Sequence, residues 1–270
     1  MNHKSQSLSV VMVTQNHSRL LDRALESVRW ADEIIVIDGG STDGSLAIAR
    51  RHTQQVYYLN HPNLAVLRRY GVSVAKGDWI LFIEPHEWVE DMLCHCIEGI
   101  LVNSKGNTQL YDGFLIPIQM YYQQRWLQWG AERRAAELRL VRRSKVKLPD
   151  HSPFANPWVP GPMLALEQAL QSEPFRSVEE LFRQVSQRAQ WAAYALLENK
   201  RPSSLKASVP NLLIQPTWAF LKYYVGHLGL LDGAEGLTMA MARSYYHFLI
   251  YSRYRQLLTN SKQLGLIRAS

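Results

Sequence analysis

At 270 residues the chain can form one large domain, or one domain with an appendage. Its 47% hydrophobic and 20% charged content is ordinary globular usage, which excludes a disordered or collagen-like chain. Thirty Lys and Arg against 23 Asp and Glu give a net charge of +7, favouring anionic partners such as phosphates or an anionic membrane surface. No recognition motif accompanies the charge, so nucleic acid is not expected as a partner. Two cysteines can build neither a disulfide framework nor a four-cysteine zinc site, and a reducing compartment follows. The opening MNHKSQSLSVVMVTQ has a short apolar run and no small-residue cleavage site, and reads as a first strand rather than a signal peptide.

Strand and helix signals alternate through the first third. Leu8 to Val13 is apolar and β-branched, and Leu20, Leu21, Ala24, Leu25 and Val28 then recur at helical spacing. Glu33 to Ile37 is a second strand, ended by Asp38-Gly39-Gly40, and Asp43 sits where the next helix wants an N-cap. Val56 to Leu59 reads as a third strand, Leu64 to Ala75 as a helix, Trp79 to Ile83 as a fourth strand and Trp88 to Leu101 as a fourth helix. This alternation predicts a mostly parallel sheet flanked by helices. Later strands are expected at Phe114 to Met120 and Leu138 to Val141, and a long loop from Asp150 to Pro162. A helical pattern begins at Val178, breaks over 202 to 216 with three prolines, and resumes from Thr217. The expected division is a sheet domain over 1–160 and a helical C-terminal extension over 161–270. No window of the extension is apolar enough to span a membrane.

In a parallel α/β sheet, ligands bind at the carboxyl ends of the strands. Three such ends here carry polar residues: Thr14 to Asn16, Asp38 to Asp43, and Glu84 to Glu87. The run Asp38-Gly39-Gly40-Ser41-Thr42-Asp43-Gly44 joins glycines, which admit close backbone approach, to a helix N-terminus, which favours negative charge. On spacing alone it is equally a tight strand-to-helix turn capped by Asp43.

These segments, Leu8-Ser9-Val10-Val11-Met12-Val13-Thr14-Gln15-Asn16, Trp30 to Asp38 with Gly39 to Gly44, and Gly77-Asp78-Trp79-Ile80-Leu81-Phe82-Ile83, resemble glycosyltransferase family 2, with the GT-A fold. The closer resemblance is to its bacterial lipopolysaccharide-core glucosyltransferase branch, and it extends to Gln215 to Tyr224 and Leu230 to Gly236. The resemblance implies a GT-A-type sheet and inverting transfer of a sugar from a nucleotide diphosphate donor, a UDP-sugar, to a cell-envelope glycan or lipid-linked acceptor. It implies that Asp38 sits against the nucleoside, that Thr14, Asn16 and Asp43 belong to the same site, and that Arg68 and Arg142, with Arg143, face the diphosphate. A divalent cation, Mn²⁺ or Mg²⁺, would offset the leaving group's charge.

Two motifs depart from the family pattern. Glu84-Pro85-His86-Glu87 stands where Asp-x-Asp is usual, leaving Glu84 and His86 as metal ligands, a nitrogen-containing set that favours Mn²⁺. The loop expected to hold a His-Glu pair reads Pro149-Asp150-His151-Ser152-Pro153-Phe154, which leaves Asp150 as the candidate base. Those same substitutions are what a degenerate relative, acting as a binding or scaffold subunit, would show. Aromatic residues from Trp218 to Tyr254, interspersed with Lys222, Arg243, Arg253 and Arg255, predict peripheral contact with anionic lipid. The expected location is cytoplasmic, at the inner face of the cytoplasmic membrane.

Overall fold

Seven consecutive buried residues, Leu8–Thr14, form β1, and a strand buried on both faces belongs in the middle of a covered sheet. The computed structural model describes residues 6–61, 63–102, 110–123, 125–129, 136–148, 156–199 and 210–263. In it β1 pairs in parallel with β2 (Glu33–Asp38), β2 with β3 (Val56–Tyr58), and β1 on its other side with β4 (Trp79–Ile83). Beyond β4 the sheet becomes mixed. β5 (Glu87–Trp88), β6 (Gly113–Tyr122), β8 (Ala136–Arg142), β9 (Met163–Ala165) and β10 (Leu170–Ser172) complete it, in the order β3-β2-β1-β4-β8-β6-β10-β5 with β9 beside β6. Two-residue β7 (Arg125–Trp126) makes a hairpin with the end of β6.

Strict alternation along the central strands builds a core on each face of the sheet. Leu8, Val10, Met12, Val36, Trp79 and Leu81 face α1 (Ser18–Glu26), α2 (Ser45–His52) and α4 (Asp91–Val102), meeting Leu21, Leu25, Ala49 and Ile97. Val11, Ile35, Ile37, Ile80 and Phe82 face α3 (Leu64–Val74) and meet Leu67. Gly71 lets α3 lie close to the sheet, because a Cβ there would come within 2.5 Å of Val11 Cγ1. These layers match the α/β class expected from the sequence.

The chain divides into two compact units, Met1–Met120 with Arg134–Glu173, and Tyr121–Arg133 with Pro174–Ser270. The expected boundary at 160 therefore moves to 173, because β9 and β10 pair with β6 and belong to the sheet. The expected start of the fourth helix also moves. Glu87–Trp88 is a strand paired with β10, and α4 begins at Asp91.

The second unit contains α5 (Val178–Asn199), α6 (Asn211–Leu221) and α7 (Gly233–Gln263). Its hairpin segment is fixed by Asp232, which accepts hydrogen bonds from the Gln128 and Trp129 N–H groups at 3.0 and 2.9 Å, and by an Arg125–Glu235 ion pair at 2.9 Å. The break expected over 202–216 ends by Asn211, where α6 begins; residues 200–209 lie outside the described residues. Pro216 lies inside α6, and its carbonyl accepts a hydrogen bond from the Ser244 hydroxyl of α7 at 3.0 Å. Among the described residues no helix is long and apolar enough to cross a membrane.

Candidate active site

The carboxyl ends of β1, β2 and β4 lie side by side, since Thr14 is in register with Asp38 and Met12 with Ile83. The turn after β2 folds back on the end of β1, with the Gly39 N–H donating to the Thr14 carbonyl at 2.8 Å. Asp38 is almost fully buried and organises this turn. Its Oδ1 accepts from the N–H groups of Gly40 at 2.8 Å and Ser41 at 2.7 Å. Its Oδ2 is buried with no hydrogen-bond partner among the described residues, as is the Thr14 hydroxyl. A buried carboxylate oxygen left unmatched is costly, which makes this position a candidate ligand contact. Gly40 makes the turn possible, adopting φ +103° with its open side against Asn60.

Asn16 and Asp43 shape the rim. Asn16 sits at φ +60°, a conformation asparagine tolerates, and its Oδ1 accepts from the Thr42 N–H at 2.8 Å. Asp43 ties two helix starts together, accepting from the Ser45 N–H at 2.9 Å and the Ser18 N–H at 3.0 Å. Burial opposes its charge, but the hydrogen bonds from Ser45 and Ser18 win and hold its carboxyl well below the usual aspartate range. Its role in these contacts is that of a cap, with both oxygens engaged.

At the end of β4 the geometry departs from the sequence expectation. Glu84 is not an open ligand. It is ion-paired with Arg68 from α3, and Arg139 Nη1 from β8 lies 3.5 Å from its Oε1. Arg139 Nη2 also reaches Glu87 Oε1 at 2.7 Å and Glu137 Oε2 at 3.0 Å, while Glu87 Oε2 accepts from the Glu84 N–H at 2.8 Å. Both arginines are more than nine-tenths buried. Burial works against the Glu84 charge, but Arg68 and Arg139 outweigh it and hold its carboxyl below the ordinary range. Glu87 moves the other way. Burial and the neighbouring Glu84 charge raise it, and Arg139 only partly compensates.

This donor set does not fit a divalent cation. The carboxylate at the expected position is neutralised by two guanidiniums, and among the described residues no group of three His, Cys, Asp or Glu side chains could hold a metal. His86 is half-buried beside Glu84, with its carbonyl accepting from the Glu173 N–H at 2.9 Å. Arg68, expected to face a diphosphate, reaches the site edge but is engaged with Glu84.

Arg142 is placed at the opposite edge. It pairs with Trp79, the first residue of β4, stacks over the Trp79 ring at 4.6 Å and donates to the Tyr111 carbonyl at 3.3 Å. Because β8 runs antiparallel to β4, the beginning of β8 and not its end meets the site. Arg139 is therefore the basic residue delivered there, and the sequence reading missed it. Arg139 is also the extra residue of a β-bulge: Phe114 pairs with Leu140 and Leu115 with Leu138, skipping it. A bulge of this kind re-aims a side chain. Asp150 lies outside the described residues.

Residues 9–107 match the family model described as Glycosyl transferase family 2. An uncharacterized glycosyltransferase of Rickettsia bellii is 29% identical over 107 residues, covering 39% of this chain and 36% of that protein. The chain spans only about a third of the length of the first curated relatives it matches, 36%, 32% and 38%. Among solved structures, Staphylococcus aureus TarS 1–349 in complex with UDP-GlcNAc aligns at 14% identity with a TM-score of 0.47, covering 96% of this chain and 92% of that one. Glucosyl-3-phosphoglycerate synthase from Mycobacterium tuberculosis, in complex with Mg²⁺ and UDP, aligns at 16% identity and 0.43, covering 74% and 81%. The matched segment holds β1 to β4 with Thr14, Asn16, Asp38, Asp43, Arg68 and Glu84, and over those residues the chain is similar to glycosyl transferase family 2.

Proposed function

We propose that the chain transfers a sugar, with inversion, from a UDP-sugar to a glycan or lipid-linked acceptor of the cell envelope, the lipopolysaccharide core being the preferred class. The observation that supports this reading is Asp38: one oxygen is locked by two backbone N–H groups and the other is buried and unmatched. A nucleobase N–H is the kind of donor that would satisfy it. Thr14 and the Gly39–Gly40 turn border the same position, and Asn16 and Asp43 hold the rim in shape. Asp150 is assigned the acceptor proton, which a carboxylate takes as the hydroxyl attacks. Calorimetry with UDP tests the reading. Wild type should bind, and Asp38→Asn should weaken binding by roughly tenfold or more, the worth of one charge-assisted hydrogen bond. Equal binding by the two proteins, or none by wild type, overturns it.

A second reading, a binding subunit that no longer transfers sugar, is favoured by the engagement of Glu84 with Arg68 and Arg139. Hydrolysis or transfer from radiolabelled UDP-sugars, with Asp150→Asn as the control, separates the two.

The second unit is assigned to the lipid surface. Leu213, Ile214, Trp218, Leu221 and Val225 recur at helical spacing along α6 and the turn after it, and all are about half exposed or more. Lys222 and Arg243 both approach the Tyr223 ring. An apolar stripe with cations alongside suits an anionic headgroup layer.

A further inference from the structure

We infer that this chain binds the diphosphate of its donor through the Arg68–Arg139 pair and without a divalent cation, an inference that rests on the nucleotide-sugar reading above. The position at the end of β4 that would have to offer a metal an open carboxylate offers a neutralised one. Glu84 meets guanidiniums from α3 and from β8, and a divalent cation brought to the same oxygens would face two fixed like charges. The other acidic side chain of the motif, Glu87, is buried and held by Arg139 and the Glu84 N–H, so it cannot take over.

Arg139 itself points to the alternative. Its Nε is buried without a hydrogen-bond partner among the described residues, and a buried guanidinium donor left unmatched calls for an acceptor. Phosphate oxygens are acceptors in the geometry a guanidinium fork prefers. Of the three carboxylates around Arg139, Glu137 is the one in solvent, with 44% of its side chain exposed. A phosphate oxygen can replace it without stranding a buried charge. The placement is consistent with one ligand reaching both ends. Glu84 follows the last residue of β4 and Asp38 ends β2, with β1 alone between the two strands, so the strand ends lie roughly 10 Å apart.

The test is UDP calorimetry on the full chain in Mn²⁺ and, separately, in EDTA, with Mn²⁺ alone as a third titrant. Affinities that agree within about threefold in the two buffers, with no heat from Mn²⁺ alone, support the inference; a factor that small is below 1 kcal/mol. Binding that EDTA abolishes and Mn²⁺ restores overturns it and leaves the nucleotide-sugar reading intact. Absence of UDP binding in both buffers removes that reading and the inference together. Glu137→Gln, a substitution at a half-exposed position, supplies a second readout. Equal or tighter UDP binding in EDTA supports Arg139 as the phosphate contact, and weakening by roughly tenfold, comparable to a lost charged contact, overturns it.

Discussion

Arg139 and Glu84 approach within 3.5 Å from strands that run in opposite directions, one near the start of β8 and the other just past the end of β4. The antiparallel pairing brings the two together, and neither would meet the other in an all-parallel sheet. Since Arg139 also serves Glu87 and Glu137, its loss should be felt by all three carboxylates. Arg139→Met is expected to destabilise the protein by about 3–5 kcal/mol, the usual cost of stranding buried charge. Replacing Glu87 as well, in Arg139→Met/Glu87→Leu, should recover part of that loss. Urea unfolding of the two variants checks both statements, and a double variant no more stable than the single one would show that the cluster is not coupled.

The same cluster sets opposite pH dependences. Glu87 is raised by burial, so the folded state holds a proton that the unfolded chain gives up near 4.5, and stability should fall as pH rises above that value. Glu84 is lowered, so its contribution is present above 4.5 and is lost as pH falls below it. Wild type should therefore be most stable in mildly acidic buffer. Glu87→Gln should flatten the fall on the neutral side while keeping the acid limb. Thermal melting from about pH 2 to about pH 8, a range that spans both carboxylate titrations, reads this directly.

Asp43 bridges the first turns of α1 and α2. Asp43→Ala removes both caps and should cost about 1–2 kcal/mol. Asp43→Asn keeps the acceptor for one of them and should cost less. A loss of UDP binding without a loss of stability in Asp43→Ala would instead assign the carboxylate to the ligand.

Gly40 combines φ +103° with a Cβ position 2.8 Å from Asn60 Oδ1. Gly40→Ala should destabilise by about 1–3 kcal/mol, because an L side chain pays for that backbone conformation whatever the space around it. It should also weaken UDP binding, since the Gly40 N–H holds Asp38 Oδ1. Shortening Asn60 alongside, in Gly40→Ala/Asn60→Ala, relieves the contact but not the backbone, so most of the stability loss should remain.

Ile214 and Trp218 lie one helical turn apart on α6, 59% and 64% exposed. Replacing both with serine should reduce co-sedimentation with anionic phospholipid vesicles by roughly tenfold, given the apolar area withdrawn from the interface. Circular dichroism and melting temperature should change little. Vesicle binding that is unaffected would remove the lipid assignment.

The parallel part of the sheet was legible because its signals are local. Leu8 to Val13, Glu33 to Ile37 and Trp79 to Ile83 are short apolar runs divided by helical spacing, and the residues at their ends fall where such runs place them. The placement of Asp38 at the end of β2 and of Asp43 before α2 follows from that pattern. The mixed part was not legible, because two-residue β5 and three-residue β10 owe their existence to pairing partners far along the chain. Arg139 has no local signal for the same reason. Nothing within β8 states which way it runs, and direction alone decides which of Arg139 and Arg142 reaches the end of β4. The bulge at Arg139 depends on the pairing of β8 with β6, so it too has no local signature. Pro216 misled in the opposite sense: a helix breaker by propensity, it lies inside α6, where its own carbonyl accepts the Ser244 hydroxyl of α7.

The bulge gives β8 an address. The strand reads Ala136-Glu137-Leu138-Arg139-Leu140-Val141 before Arg142, and Arg139 is the one cation within its first six positions. Sliding β8 along β4 by one or two residues would put leucine, valine or another glutamate in place of Arg139, which strips Glu87 of its base and leaves Glu84 with Arg68 alone. An apolar strand of this composition could otherwise settle at neighbouring offsets for little cost. The charges that line the candidate site thus disfavour the neighbouring alignments of this strand.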